Sequence, residues 1–454
     1  MELKYFTFIL WNPCLLFKEE ILKKIPNIIE TSEIKINKTD LYSFVFDIYK
    51  MDKRCARRKV LPPKIESLKK HGDRHLFVKC KIENPKFDKN NVCKQAIDIK
   101  KEIRKEYKPK IKDYVFDIII HAFDDPEQSK YVWEKYAYPM TKIKNIFKEL
   151  QTYVVLRGYD DLHYKIPNLK KGEDIDLLIK NKNDIKDICG SNIIKINNKP
   201  IKFDRRFIGD GYYDSNWERN MLLTRIPNYF FYVLNEENNY YATLYHSLIH
   251  KGVVAKKYKN LYRLLEEKME IKIENEDPLQ RYYHLLKFMI KNKYQFVRAS
   301  DKGVGFFKDK YNLNLFLIRK WGMNEKVVGN ILSEIKGAGY KVLDIFLTTI
   351  NNKEKFYKNF YNNFNDFEEE ILKVNDNQCL TIVTDCPPDH KAKKLKNKIR
   401  KQYASFYPNK GAVPGNLIHS SDSPMDCENE LSLLLNKDIV NFKNIGTYYN
   451  QKTV

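Results

Sequence analysis

"GNLIHSSDSPMDCENEL", residues 415–431, is the stretch on which the reading of this chain turns. An apolar pair, Leu417-Ile418, ends at His419. The Ser-Ser-Asp-Ser-Pro run at 420–424 then breaks the chain, and Glu430 stands eleven residues beyond the histidine. The apolar stub reads as a short final strand and the polar run as the turn that leaves it. A second phrase has the same shape. In "YVFDIIIHAFDDPEQSKYVWEKY", residues 114–136, His121 ends an apolar run, and Asp124 follows it by three, as Asp422 follows His419.

Each phrase closes a similar series of elements. Residues 1–140 read as strand "LKYFTFILW", helix "LLFKEEILKKI", strands "LYSFVFDIY" and "HLFVKCKI", helix "CKQAIDIKKEIRKEY" and strand "YVFDIIIH", with a further short helix at "KIESLKK". Residues 308–454 read as strand "LNLFLIRK", helix "NEKVVGNILSEIKGAGY" ending at Gly337 and Gly339, and strand "KVLDIFLTTI". Helix "KEKFYKNFY", strand "CLTIVTD", helix "DHKAKKLKNKIRKQY" capped by Asp389, and strand "GNLIH" follow. The helices before the two histidine strands end alike, in "IRKEY" and "IRKQY". Matches in this register point to an internal duplication.

The C-terminal segment resembles nucleoside diphosphate kinase. Asn416, His419, Ser421, Asp422 and Ser423 fall on that family's histidine motif, and Glu430 falls where it carries the acid that orients the histidine. "LFLIRKWGMNEKVVGNILSEIKGAGYKVLDI", residues 315–345, is similar to its opening strand and helix. The resemblance implies a ferredoxin-like βαββαβ core and phosphoryl transfer through His419. The chemistry needs a neutral imidazole held by one nitrogen and attacking with the other, with cations nearby. Lys320, Arg319, and Lys396 or Arg400 are the candidate donors. The N-terminal echo lacks the companion acid, since Val132 stands eleven residues after His121.

The centre carries a different pattern. In "TYVVLRGYDDLHYKIPNLKKGEDIDLLIK", residues 152–180, Arg157-Gly158 ends an apolar piece, and Asp174 and Asp176 bracket Ile175. Side chains alternate along a strand, so both carboxylates leave one face and suit a divalent cation. "KPIKFDRRFIGDGYYD", residues 199–214, offers Asp204 on a second strand. This order resembles the polymerase-beta-like nucleotidyltransferase superfamily. The resemblance implies Mg²⁺ or Mn²⁺ on Asp174, Asp176 and Asp204, with a nucleoside triphosphate as donor. Lys170, Lys171, Arg205 and Arg206 flank the acids and could meet phosphates, as could Arg157, Gly158 and Lys251. Asp210, Asp214 and Trp217 read as rim residues of that site. His246 and His250, one helical turn apart, read as packing or substrate contacts.

The expected architecture is α+β: a central nucleotidyltransferase-like mixed sheet with helices, flanked by two ferredoxin-like (βαββαβ) modules. The boundaries are 1–140, 141–240, a helical segment 241–307, and 308–454. A chain of 454 residues exceeds one hydrophobic core. The net charge of +23 favours polyanionic or phosphorylated partners, nucleic acid among them. Eight cysteines without a C-x-x-C pair, and no leader or spanning run, point to a reduced, cytoplasmic setting without a membrane partner. The leading expectation is nucleotidyl transfer to an unidentified hydroxyl or phosphate acceptor. Kinase-like transfer through His419 is the alternative. A non-catalytic basic scaffold or nucleic-acid-binding protein, with the outer modules pairing within or between chains, is the third.

Overall fold

In the computed structural model, the described residues are 3–51, 60–112, 114, 117–159, 162, 174–181, 193–196, 199–252, 254, 256–297, 312–352, 356, 359–360, 377–387, 391–404, 417–436 and 440–444. Their strands form three sheets, of four, six and five strands. The chain divides into two units, residues 1–208 with 218–235, and residues 209–217 with 236–454.

The N-terminal sheet runs β1 (Leu3–Leu10), β2 (Ile28–Lys35), β3 (Arg74–Glu83) and β4 (Ile120–Phe123). Its spatial order is β2-β3-β1-β4, all antiparallel. Helices α1 (Lys18–Lys23), α2 (Leu41–Tyr49), α3 (Leu61–His71), α4 (Lys94–Tyr107), α5 (Pro126–Val132) and α6 (Tyr138–Glu149) lie among and after these strands. The order of strands and the βα…βαβ connections are ferredoxin-like. "LYSFVFDIY" is helix α2 rather than the expected strand. Leu41, Phe44, Val45, Ile48 and Tyr49 are its buried positions, and that spacing suits a helical face. The second strand is instead "IIETSEIK", an edge strand whose exposed Ile28 and Ile29 hide its alternation.

Buried in this module, His75 lies edge-on to Trp11 at 5.2 Å, and neither ring nitrogen has a hydrogen-bond partner. Burial pushes its pKa down to about 3. The unfolded chain therefore takes up a proton that the folded chain refuses. Stability is lost as pH falls below the ordinary histidine value of about 6.5, at up to ~1.4 kcal/mol per pH unit. Thermal unfolding at pH 5 and pH 8 is expected to show this loss. His75→Phe should flatten it, and an unchanged pH slope in that variant would refute the assignment.

The central sheet comprises β5 (Tyr153–Arg157), β6 (Ile175–Ile179), β7 (Ile193–Ile196), β8 (Lys199–Phe207), β9 (Ile226–Asn228) and β10 (Phe231–Val233), in the order β7-β8-β6-β5-β10-β9. It is mixed, with β6 parallel to β8 and antiparallel to β5. One face packs Val155, Ile175, Leu177, Ile201 and Phe203 on Ile143 and Phe147 of α6. The opposite side chains of β6 and β8 are left for the site.

Helices α7 (Ser215–Leu223), α8 (Glu236–Tyr245), α9 (Lys259–Lys268) and α10 (Pro278–Lys291) follow. Trp217 is fully buried and donates to Asn238 at 2.8 Å, so it is core rather than rim. Asp214 accepts from the amides of Asn216 and Trp217, a capping role. His246 and His250 both meet Tyr212: the first at its hydroxyl, 2.6 Å, the second at its carbonyl, 3.0 Å, with rings stacked at 4.0 Å.

The C-terminal sheet comprises β11 (Leu313–Arg319), β12 (Val342–Ile350), β13 (Gln378–Asp385), β14 (Ile418–Ser420) and β15 (Val440–Asn444). Its order, β14-β11-β13-β12-β15, repeats the N-terminal sheet with one further edge strand. Helices α11 (Glu325–Gly337) and α12 (Ala392–Gln402) cover one face through Val328, Ile331 and Ile399, packed on Phe316, Ile318 and Ile418. Helix α13 (Pro424–Leu434) follows β14. The expected Asp389 cap and most of "KEKFYKNFY" lie outside the described residues. No described helix is long and apolar enough to cross a membrane.

The two modules also match in their side-chain bonds. Arg104 of α4 donates from Nε and Nη2 to the carbonyl of Ile120, and Arg400 of α12 does so to Ile418, each one residue before the histidine. Lys100 meets Asp124 at 3.0 Å, and Lys396 meets Asp422 at 3.5 Å. Shared topology alone does not dictate such contacts, so they support a duplication.

Candidate functional site

Register builds the central site. On parallel strands β6 and β8, Asp176 pairs with Asp204, and on β5 it is faced by Arg157. Asp174 lies two residues earlier than Asp176, so its side chain shares that face. A carboxylate oxygen from each of Asp174, Asp176 and Asp204 lies within 4.8 Å of the others. Two oxygens bound about 2.1 Å from one cation sit at most roughly 4.2 Å apart, so small side-chain adjustments suffice. Three hard oxygen donors fit Mg²⁺ or Mn²⁺.

Arg157 reaches Asp176 because the strand is irregular. Val155 pairs with Leu177, but the register shifts before Arg157 pairs with Asp176. Without that bulge, alternation would place Leu156 over the carboxylates and turn Arg157 to the apolar face. The two groups meet at 3.1 Å, and Arg157 is only 6% exposed. Gly158 turns the chain immediately after it with φ +72, a conformation that favours glycine.

Burial raises the pKa of Asp176; Arg157 opposes that rise, and Asp174 and Asp204 add to it. Desolvation leads the rise and the like charges of its neighbours come second.

Arg206 shares the face of Asp204 and lies 3.7 Å from it. Arg205 pairs with Leu177 and so leaves the opposite face, away from the acids. Lys170 and Lys171 lie outside the described residues. Lys251 is exposed at the end of the His246–His250 turn. Lys202, which nothing in the D-x-D pattern singles out, meets Asp174 at 3.3 Å. Its position two residues before Asp204 was the available signal.

In the C-terminal module, His419 pairs with Leu317 on β11. It leaves the sheet face opposite the one that packs Ile318 and Ile418 on α11 and α12. Arg319, two residues beyond Leu317, leaves the same face as His419. His419 Nε2 lies 2.7 Å from Glu430 Oε1, and Ser421 donates to Glu430 Oε2 at 2.6 Å. Glu430 is thus held at both oxygens and fixes the imidazole with hydrogen on Nε2. Phe360 flanks the ring edge-on at 5.1 Å.

Lys396 and Arg400 do not face His419. They bond the backbone of Ser420 and Ile418 from the helical side, so they are structural rather than phosphate donors. Lys320 is exposed in the turn after β11. Asn416 lies outside the described residues. In the first module, the place of Arg319 is taken by Trp11, whose amide bonds Ile119 as that of Arg319 bonds Leu417. There His121 is buried against Tyr49 at 4.4 Å.

No family model matches this chain, and no curated protein matches it. Among solved structures, it is similar to the Aquifex aeolicus nucleoside diphosphate kinase at 19% identity, covering 29% of this chain and 99% of that one, with a TM-score of 0.23. It is also similar to the Borrelia burgdorferi nucleoside-diphosphate kinase with bound vanadate and ADP, at 15% identity, covering 31% of this chain and 98% of that one, with a TM-score of 0.21. Neither score establishes a common fold.

Proposed function

We propose that the central sheet is a metal-dependent nucleotidyltransferase site, moving a nucleoside monophosphate from a nucleoside triphosphate to a hydroxyl or phosphate acceptor. The observation that carries this reading is the convergence of Asp174, Asp176 and Asp204 from two strands. They would hold Mg²⁺ or Mn²⁺, which supplies charge neutralisation at the phosphate oxygens and activates the acceptor. Asp204 would take the acceptor proton. The acceptor oxygen then bonds to the α-phosphorus, the bond to the β-phosphate oxygen breaks, and pyrophosphate leaves. Arg157 offsets the charge of half-buried Asp176, and Lys202 and Arg206 offer cations beside the acids. The test is transfer from α-labelled triphosphates to candidate acceptors, with and without divalent cation. Metal-dependent release of pyrophosphate supports the proposal; its absence across nucleotides and acceptors counts against it.

The Glu430–His419 geometry favours a second activity in the C-terminal module, phosphoryl transfer through the histidine. Nε2 is engaged by the carboxylate, so the attack on a γ-phosphate falls to Nδ1, with the diphosphate leaving. γ-Labelled triphosphate is expected to leave an acid-labile label on the protein that is lost in His419→Gln. Glu430→Gln should slow labelling by about 10²-fold or more, because the imidazole loses the acid that fixes its tautomer and orientation. Label persisting in His419→Gln would refute this reading.

A further inference from the structure

Helices α11 and α12 border a groove of about 900 Å³ on the sheet face opposite His419. Asn330, Ser333, Gly337 and Ala338 form its α11 wall, and Lys391, Lys394 and Lys398 its α12 side. One acid, Glu334, reaches into it and pairs with Lys398 at 2.5 Å. An added Cβ at Gly337 would meet nothing within 4 Å, so the α11 wall is open there.

The duplication supplies an internal control for these charges. Arg104 and Lys100 are the counterparts of Arg400 and Lys396, so Lys394 and Lys398 stand where α4 carries Asp98 and Glu102. Helix α4 mixes acids with its lysines, whereas "AKKLKNKIRKQ" of α12 contains no acid. Both helices come from one chain, so a general lysine bias does not explain the difference. The fold does not require it either, because α4 packs on its sheet with the acids in place.

We infer that this groove binds the phosphate backbone of single-stranded nucleic acid. Lys391, Lys394 and Lys398 recur at i, i+3 and i+7, so they span about 10 Å of one helix face. That length is enough to meet a few successive phosphates of one strand. The large side chains lining the groove, Tyr340 and Leu395, are buried. A membrane surface fits less well, since no exposed large apolar side chain stands on the described faces of α11 or α12. The groove is independent of the carboxylate cluster, and the inference does not rest on nucleotidyl transfer.

The test is fluorescence anisotropy of a labelled oligouridylate with the full chain, without triphosphate or divalent cation, over a salt series. Replacing Lys391, Lys394 and Lys398 together by Gln is expected to weaken binding by about 10-fold or more. It should also reduce the slope of log affinity against log salt by about 2. The same three residues changed to Arg should restore both. Replacing Lys94, Lys101 and Lys105 of α4 by Gln should change neither. Equal losses in the two helices would show only the diffuse field of a basic protein and overturn the inference. So would absent oligonucleotide binding, an unaffected Gln variant, or binding to phosphatidylserine vesicles alone. Because no metal is present, failure here is distinguishable from failure of the transfer activity.

Discussion

Asp176→Asn is expected to lower metal-dependent α-phosphate transfer by about 10³-fold or more, equivalent to about 4 kcal/mol of transition-state stabilisation. Asp176 is the middle of the row. It faces Arg157 on one side and Asp204 on the other, and Asp174 shares its face. The substitution removes the charge that joins these groups while keeping the side chain's size. Asp204→Asn should cost at least as much, because it also removes the proton acceptor. Lys202→Gln, at the edge of the cluster, should cost far less. The controlling measurement is thermal stability with and without Mg²⁺. The wild type should be raised by the cation, and the two Asn variants should not. Full transfer activity in Asp176→Asn would sink the assignment of the site.

The largest expected loss of stability is elsewhere, at Arg281 of α10. Its guanidinium grips Glu266 of α9 with Nε at 2.7 Å and Nη2 at 3.1 Å, and Tyr240 of α8 donates to the same carboxylate at 3.0 Å. Arg281 is 3% exposed. Arg281→Ala leaves Glu266 buried without its cation, which costs about 3–5 kcal/mol. A body of this size shifts by roughly 2–4 °C per kcal/mol, so the transition of this unit should fall by about 10 °C. The double variant Arg281→Met with Glu266→Leu should recover most of the loss, because the pair's own desolvation is then also removed. If the double variant is no better than Arg281→Ala alone, the buried charge is not the cause. A calorimetric scan that resolves the two units is the right measurement, since a single two-state value does not describe such a chain.

How far the residues alone reach can be seen at three places. The ferredoxin-like order of the outer modules follows from alternation and helical spacing, and the shared "IRKEY" and "IRKQY" endings point to the matched arginines. The first module's second strand could not be read that way. "LYSFVFDIY" is apolar enough for a strand, and only its helical burial pattern in the fold settles it as α2. Trp217 illustrates the same limit. A tryptophan next to a Gly-Asp-Gly turn looks superficial in sequence, yet the helical unit closes over it.

Local periodicity was sufficient to put Asp174 and Asp176 on one face, because alternation along a strand needs no knowledge of its neighbours. It could not bring Arg157 to them. That depends on the irregular pairing of β5 with β6, and the choice between Arg205 and Arg206 depends on the register of β8. The spacing of His419 and Glu430 is likewise written in the chain, whereas the side of the sheet that each lysine and arginine of α12 occupies is not. Contacts between residues close in sequence follow from backbone geometry. Contacts between strands and across sheet faces are decided by register and packing, which the whole fold sets at once.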